Sequence, residues 1–380
     1  MPARRSQRSA TTTNPFQISG PLRPDAMIDR DEEVTRLGEL VAGGHAARLV
    51  APRRYGKTTL LGRVLYDAAQ TGMPTAHVDL LGVLTLAGIV TRLERAYAAG
   101  LHGPVRRAAD AILRSWNVGV SLGGGGFAVT FRSNPSVDVE SVLLRLLELP
   151  ERLATRTGKR CAIAFDEMQD VLRVEGADGI IRSVIQYQSE HASYLFAGSS
   201  PSLMTRLFAN PSRPLLEHAL PVELVPLPPE PVAAYVEERF AQTRRDPGAA
   251  LDTLLQFARG HPQRTMLLAH HLWAVTPPGS VAEETAWAEA LSRALRGARP
   301  VLEARWEALP TNEQRAAAAL ASGGGSVYDA AVYRQVGLKR GSIDRALAGL
   351  HGRGEAIRGP GGWQLADPLF EAWLADRGLL

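Results

Sequence analysis

The chain has 380 residues, 45% of them apolar, and a formal net charge of only +4. That length exceeds one hydrophobic core and predicts two or three domains, while the small charge permits a nucleic-acid partner without arguing for one. No run approaches the ~20 apolar residues of a membrane helix, and the single cysteine, Cys161, excludes an intrachain disulfide, gives no cysteine cluster for zinc and fits a reducing cytoplasm.

The basic N-terminus, residues 1–24, lacks an apolar signal core and reads as a flexible arm. Asp31 to Val41 follows as an amphipathic helix, with Asp31 a candidate cap at its start. Arg48–Ala51 is a short strand running into a loop, Leu60–Ala69 a helix, and Thr75–Leu80 a second strand. One long helical stretch covers about Thr85 to Arg114. Trp116, Val118, Val120 and Leu122, then Gly123–Gly126, then Phe127, Val129 and Phe131 predict a β-hairpin, an insertion over 115–132. A helix over Val137–Thr155 precedes the apolar strand Cys161–Phe165. A helix around Gly179–Glu190 leads to strand Tyr194–Ala197. Strands alternating with helices predict a parallel sheet covered on both faces.

Pro221–Pro231 reads as a boundary that closes a core over 25–225. A helical segment follows over 226–299, and Pro300 marks a second boundary. Beyond it come helices at Thr311–Ala321, Tyr328–Gln335 and Gly341–Leu350, and a hairpin of Ala356–Arg358 and Trp363–Leu365. That order, over 300–380, is a winged helix-turn-helix.

Two motifs carry chemistry. Ala51-Pro52-Arg53-Arg54-Tyr55-Gly56-Lys57-Thr58 has the spacing G-x-x-x-x-G-K-[ST], with Ala51 in place of the first Gly. Such a loop turns backbone N–H groups toward phosphates at a helix N-terminus, Gly56 lets the backbone approach, Lys57 adds charge, and the Thr58 hydroxyl holds Mg²⁺. Thr59 is the next helical residue. The second motif, Ala162-Ile-Ala-Phe-Asp166-Glu167, ends a buried strand in two carboxylates. Its C-terminal end is expected beside the phosphate loop, with Asp166 acting on Mg²⁺ and Glu167 as general base for an attacking water. Together they predict an α/β fold: a P-loop ATPase core, a helical lid and a C-terminal winged helix.

With these motifs the chain resembles the AAA+ and STAND ATPases, closest to the archaeal-type ATPases and their origin-recognition-like relatives. The likeness rests further on Asn14-Pro15-Phe16, on Met27-Ile28-Asp29-Arg30-Asp31-Glu32-Glu33 with Asp29 where the family has Gly, and on Asp367-Pro-Leu-Phe370-Glu-Ala-Trp373-Leu. It implies ATP and Mg²⁺ as ligands, Ile28, Arg30 and Pro262 (of Gly260-His261-Pro262) near the base, and Ser199, with Ser200 the alternative, sensing the γ-phosphate. Relatives carry a sensor Arg at the position of Gln263; here Arg264 comes one residue later, turned by ~100°, onto a face read as solvated. An arginine finger from a neighbouring subunit would be Arg213, or Arg206, and implies an ATP-dependent homo-oligomer. If the winged helix reads DNA, Lys339, Arg340, Arg345, Arg353 and Arg358 meet phosphates. Otherwise it is a scaffold for a protein partner, as in a STAND-type signalling or defence ATPase.

Overall fold

The computed structural model describes residues 13–115, 138–322, 337–359 and 361–378. They divide into two compact units. One comprises Arg23–Arg53 and Lys57–Leu224; the other gathers the described residues up to Leu22, Arg54–Gly56, and those from Val225 onward. The expected hairpin Trp116–Phe131 and helix Tyr328–Gln335 lie outside the described residues.

The first unit is built on five parallel strands, β1 (Ala47–Val50), β2 (Thr75–Asp79), β3 (Cys161–Asp166), β4 (Ala192–Gly198) and β5 (Leu220–Glu223), in the order β2-β3-β4-β1-β5. Every residue of β3 and β4 is buried, so these strands read as continuous apolar runs rather than alternating ones. Phe165 and Phe196 stack at 5.8 Å and Phe165 and Tyr194 at 6.2 Å. Burying each such ring contributes about 2–3 kcal/mol. The edge strand β5 includes Pro221, and the break between the two units, after Leu224, falls inside the stretch Pro221–Pro231. Proline has no N–H for a ladder, but an edge strand tolerates it.

Helices α1 (Asp31–Ala42), α2 (Lys57–Gln70), α3 (Leu86–Gly100), α4 (Gly103–Ser115), α5 (Val139–Thr157), α6 (Ala177–Ile185) and α7 (Pro201–Phe208) complete this unit. The single helix expected from Thr85 is two. Gly100 ends the first against β2, where an added Cβ would lie 2.2 Å from the Thr75 carbonyl oxygen, and Gly103 starts the second with φ 55°. Thr85 caps α3 by accepting from the Gly88 N–H at 3.0 Å. Asp31 is not a cap. Arg30 holds that position with φ 79°, and Asp31, Glu32 and Glu33 fill the first turn of α1, where they complement the helix dipole. Asp29 also takes a left-handed conformation, φ 54°, which aspartate tolerates better than most residues.

The second unit holds α8 (Pro229–Gln242), α9 (Ala250–Ala258), α10 (Pro262–Val275), α11 (Glu284–Glu307), α12 (Thr311–Ala321), α13 (Arg340–Arg353), the antiparallel pair β6 (Ala356–Gly359) and β7 (Gly362–Leu365), and α14 (Pro368–Asp376). Pro300 is not a boundary, since α11 runs through it for 24 residues. The carbonyl it leaves unpaired, on Arg296, sits on an exposed stretch open to water. The arm is not free at its described end. Phe16 is buried against Phe240, ring centroids 5.7 Å apart, and Asn14 donates to the His270 carbonyl at 3.0 Å.

Arg264 is likewise not solvated. It is 2% exposed and grips Asp367 with two hydrogen bonds, at 2.8 and 2.6 Å. Asp367 also accepts from Arg305 at 2.5 Å and caps α14 through the N–H groups of Leu369 (3.0 Å) and Phe370 (3.4 Å). Arg305 reaches on to Glu355. Burial works to raise the Asp367 pKa, but Arg264 and Arg305 outweigh it and hold the carboxyl far below the usual range. The folded value is depressed, so its stabilisation is full above pH ~4 and is lost as pH falls below that. Asp367→Ala leaves the buried Arg264 guanidinium without its carboxylate and the half-buried Arg305 with Glu355 alone. It should lower stability by about 3–5 kcal/mol, measured by chemical denaturation at pH 7. Asp367→Asn, which keeps a cap, should cost less.

Candidate functional site

The residues 51–56 leave β1 as a loop and end at the N-terminus of α2, so Lys57 and Thr58 open a helix. Ala51 is buried and is not among the positive-φ residues. The demand for left-handed backbone falls instead on Arg54, φ 68°, and Gly56, φ 85°. Alanine therefore fits the first position without strain. Nothing lies within 4 Å of a Cβ built on Gly56, so that glycine is needed for its angle rather than for space.

Lys57 is 5% exposed, and its ammonium donates to the carbonyls of Ala51 (2.8 Å) and Pro52 (2.9 Å). Burial lowers its pKa to about 8, a fall limited by the nearby Glu167 and Asp166 carboxylates. The Thr58 hydroxyl donates to Asp166 Oδ2 at 2.5 Å, across 108 residues of sequence. Burial alone would raise the Asp166 pKa, yet His77, the Thr58 hydroxyl and the Glu167 N–H together hold it below the ordinary carboxylate range. His77 stands on β2 with Nε2 3.6 Å from Asp166 Oδ2, too far for a hydrogen bond.

Glu167 turns the chain with φ 50° and ψ 41°, an unfavourable region for a residue with a Cβ. Its Oε2 accepts from the Ser199 hydroxyl at 2.7 Å and from Gln169 Nε2 at 2.5 Å. Ser199, just past β4, is 2% exposed. The acidic strand is not the neighbour of the phosphate-loop strand: β4 lies between β3 and β1. That insertion brings Ser199 to the carboxylates.

The structure thus brings together Lys57, Thr58, Asp166, Glu167 and Ser199. Thr58 and Asp166 fit a magnesium ion, because hydroxyl and carboxylate oxygens are the hard donors it takes, with phosphates and water supplying the rest. Among the described residues no group of three or more His, Cys, Asp or Glu could hold a metal ion by protein ligands alone. Of the other expected residues, Pro52 and Tyr55 are buried, Arg53 and Arg54 exposed and Thr59 partly buried. Tyr55 belongs to the second unit, where its ring lies 4.9 Å from that of His261 and its hydroxyl donates to the Ala366 carbonyl at 3.4 Å. Ile28 is buried, and Arg30 pairs with Glu33 at 2.6 Å. Pro262 opens α10, capped by His261. Arg213 pairs with Asp178 at 3.1 Å. Lys339, Arg340, Arg345, Arg353 and Arg358 are exposed, though Arg353 pairs with Glu313 at 2.9 Å and Arg358 lies over the Trp363 ring at 4.8 Å.

Sequence reading missed Gln169 and His77. The only signal for Gln169 was a polar residue two places beyond the carboxylates, and none marked His77, whose place depends on the pairing of β2 with β3.

No family model matches the chain, and no curated protein does. Solved structures do match. The Walker-type ATPase PABY2304 of Pyrococcus abyssi aligns with TM-score 0.69 at 16% identity, covering 94% of this chain and 99% of that one. The ORC2 protein of Aeropyrum pernix, solved as ADPNP–ADP complexes, aligns with TM-score 0.61 at 14% identity over 94% and 95%. Its ADP form gives 0.51 at 14% identity over 96% and 97%. The fold is that of these archaeal ORC-like and Walker-type ATPases, α/β with a parallel five-stranded sheet. No helix among the described residues is long and apolar enough to cross a membrane.

With its pKa lowered to about 8, Lys57 is charged at pH 7 and loses its proton as pH rises past 8. A bound triphosphate favours the charged form. Affinity for a nucleoside triphosphate should therefore hold from pH 6.5 to 7.5 and weaken above about 8, approaching tenfold per pH unit. Lys57→Met should bind weakly at every pH without that step, in a fluorescence titration.

Proposed function

We propose that this protein is an ATP-dependent switch that binds ATP with Mg²⁺ and hydrolyses it to ADP and phosphate. The observation that carries the reading is the hydrogen bond from Thr58 to Asp166, which joins a phosphate loop to a strand-end carboxylate with Glu167 next in sequence. The ADPNP and ADP in the Aeropyrum protein of the same fold argue for adenine nucleotides. In this reading the loop backbone over 52–57 and the Lys57 ammonium bind the phosphates. Thr58 and Asp166 hold Mg²⁺, which would neutralise charge on the phosphate oxygens. Glu167 takes a proton from the attacking water as its oxygen bonds to the γ-phosphorus. The bond from that phosphorus to the bridging oxygen breaks, and ADP leaves. The Ser199 hydroxyl, which donates to Glu167, is assigned to a γ-phosphate oxygen, to which it would turn when ATP is bound. Ile28, Arg30 and Pro262 are assigned to the base side. Arg213 is assigned to a neighbouring copy's phosphates in an ATP-dependent homo-oligomer, where it would have to leave Asp178.

The output assigned to the switch is DNA binding. Lys339, Arg340 and Arg345 lie on or just before the first half of α13, and Arg358 on β6, all exposed. Asp344, also exposed on that helix, weakens the patch. A second reading, a scaffold for a protein partner, is favoured by the buried Arg264–Asp367–Arg305 cluster, which ties α10, α11 and the start of α14 into one body.

The test measures turnover and DNA affinity of the full chain at low and moderate salt, with ATP and Mg²⁺ or with ADP. Glu167→Gln should bind ATP and lose turnover by at least about a hundredfold. Lys57→Ala should lose nucleotide binding. DNA should bind more tightly with ATP than with ADP, and binding should weaken with salt. Turnover without DNA binding in any state would move the output to a protein partner. No turnover in the wild type would sink the hydrolytic reading.

A further inference from the structure

Gln169 is 4% exposed and uses both ends of its amide inside the candidate site. Its Nε2 donates to Glu167 Oε2 at 2.5 Å, and its Oε1 accepts from the Ser199 N–H at 3.3 Å. The Ser199 hydroxyl donates to the same Glu167 oxygen. One carboxylate oxygen is thus held by two donors. The other, Oε1, takes no hydrogen bond from any described residue.

The surroundings are shaped for this amide. A Cβ on Gly198 would lie 2.6 Å from Gln169 Oε1 and 2.4 Å from Met204 Sδ. Gly198 keeps ordinary backbone angles, so its lack of a side chain supplies room rather than conformation. The left-handed turn at Glu167 starts the 3₁₀ segment Met168–Arg173 that carries Gln169. Backbone of this kind is kept where a site uses it.

We propose that Gln169 is the positioning residue for the Glu167 carboxylate in ATP hydrolysis, an inference that rests on the hydrolytic reading above. A free glutamate samples many rotamers, and fixing one of them costs side-chain freedom. Gln169 and Ser199 impose that order before substrate arrives. They direct one oxygen inward and leave the other to receive a water proton. Gln169 touches no reacting atom and acts through Glu167, while its second bond registers that carboxylate against Ser199.

The experiment follows ATP turnover with Mg²⁺ and equilibrium binding of a fluorescent ATP analogue. It compares the wild-type full chain with Gln169→Ala, Gln169→Met, Glu167→Gln and the double variant Glu167→Gln/Gln169→Ala. Gln169→Met keeps the volume and serves if the alanine variant does not fold. Both Gln169 variants should lose about 10–100-fold in kcat with KM and nucleotide Kd changed by less than about threefold. Adding Gln169→Ala to Glu167→Gln should cost less than about twofold more, because the group it positions is already gone. Wild-type kcat in the Gln169 variants, with Glu167→Gln inactive, overturns the positioning role and leaves the hydrolytic reading standing. So does a double variant whose losses multiply, since that marks a general structural effect. Full turnover in Glu167→Gln overturns both readings.

Discussion

The hydrogen bond between Thr58 and Asp166 depends on a constraint set by the sheet. The strand that feeds the phosphate loop and the strand that ends in carboxylates are separated by β4. Helix α2, which begins at Lys57, must therefore place Thr58 across the end of β4 to meet Asp166. Once it does, the end of β4 lies among the charged groups, and the residue just past it, Ser199, becomes part of the site. Lys57, Asp166, Glu167 and Ser199 then form one electrostatic neighbourhood. Burial lowers the lysine's pKa, the carboxylates limit the fall, and the Thr58 hydroxyl and the nearby His77 help hold Asp166 ionised.

Much of this was readable in the sequence, because local patterns specify it. The loop 51–58 is a contiguous motif with a strand before and a helix after, and Cys161–Asp166 is an apolar run that can only be a buried strand. What escaped depends on pairing between distant segments. The place of β4 between β1 and β3 gives no local signal, and neither does the register that puts His77 beside Asp166. Gln169 sits in a short 3₁₀ segment entered through a left-handed glutamate, a conformation no propensity predicts. Proline misled at Pro300, which sits on an exposed helix face where water can satisfy the freed carbonyl. Arg264 misled because an arginine on a helix is ordinarily solvated, while its partner Asp367 lies 103 residues away.

That buried cluster shows how far the C-terminal half differs in design from the sheet unit. In the sheet unit, Lys57 and Asp166 are buried together at the ends of the strands. In the helical unit buried charge serves attachment. Asp367 satisfies two arginines and two backbone N–H groups at once, and each of these groups would be costly to bury alone. Tyr55, one residue before the phosphate loop's Gly56, packs in this helical unit, so the loop is divided between the two bodies.

The central claim is that residues 51–58 and Asp166 make one magnesium–nucleotide site, and calorimetric titration of the wild type and Thr58→Val with ATP tests it most directly. The account predicts one ATP per chain, bound more tightly with Mg²⁺ than with a chelator, and loss of that magnesium dependence in Thr58→Val. Absence of ATP binding in the folded wild type, or binding indifferent to both magnesium and Thr58, would contradict it.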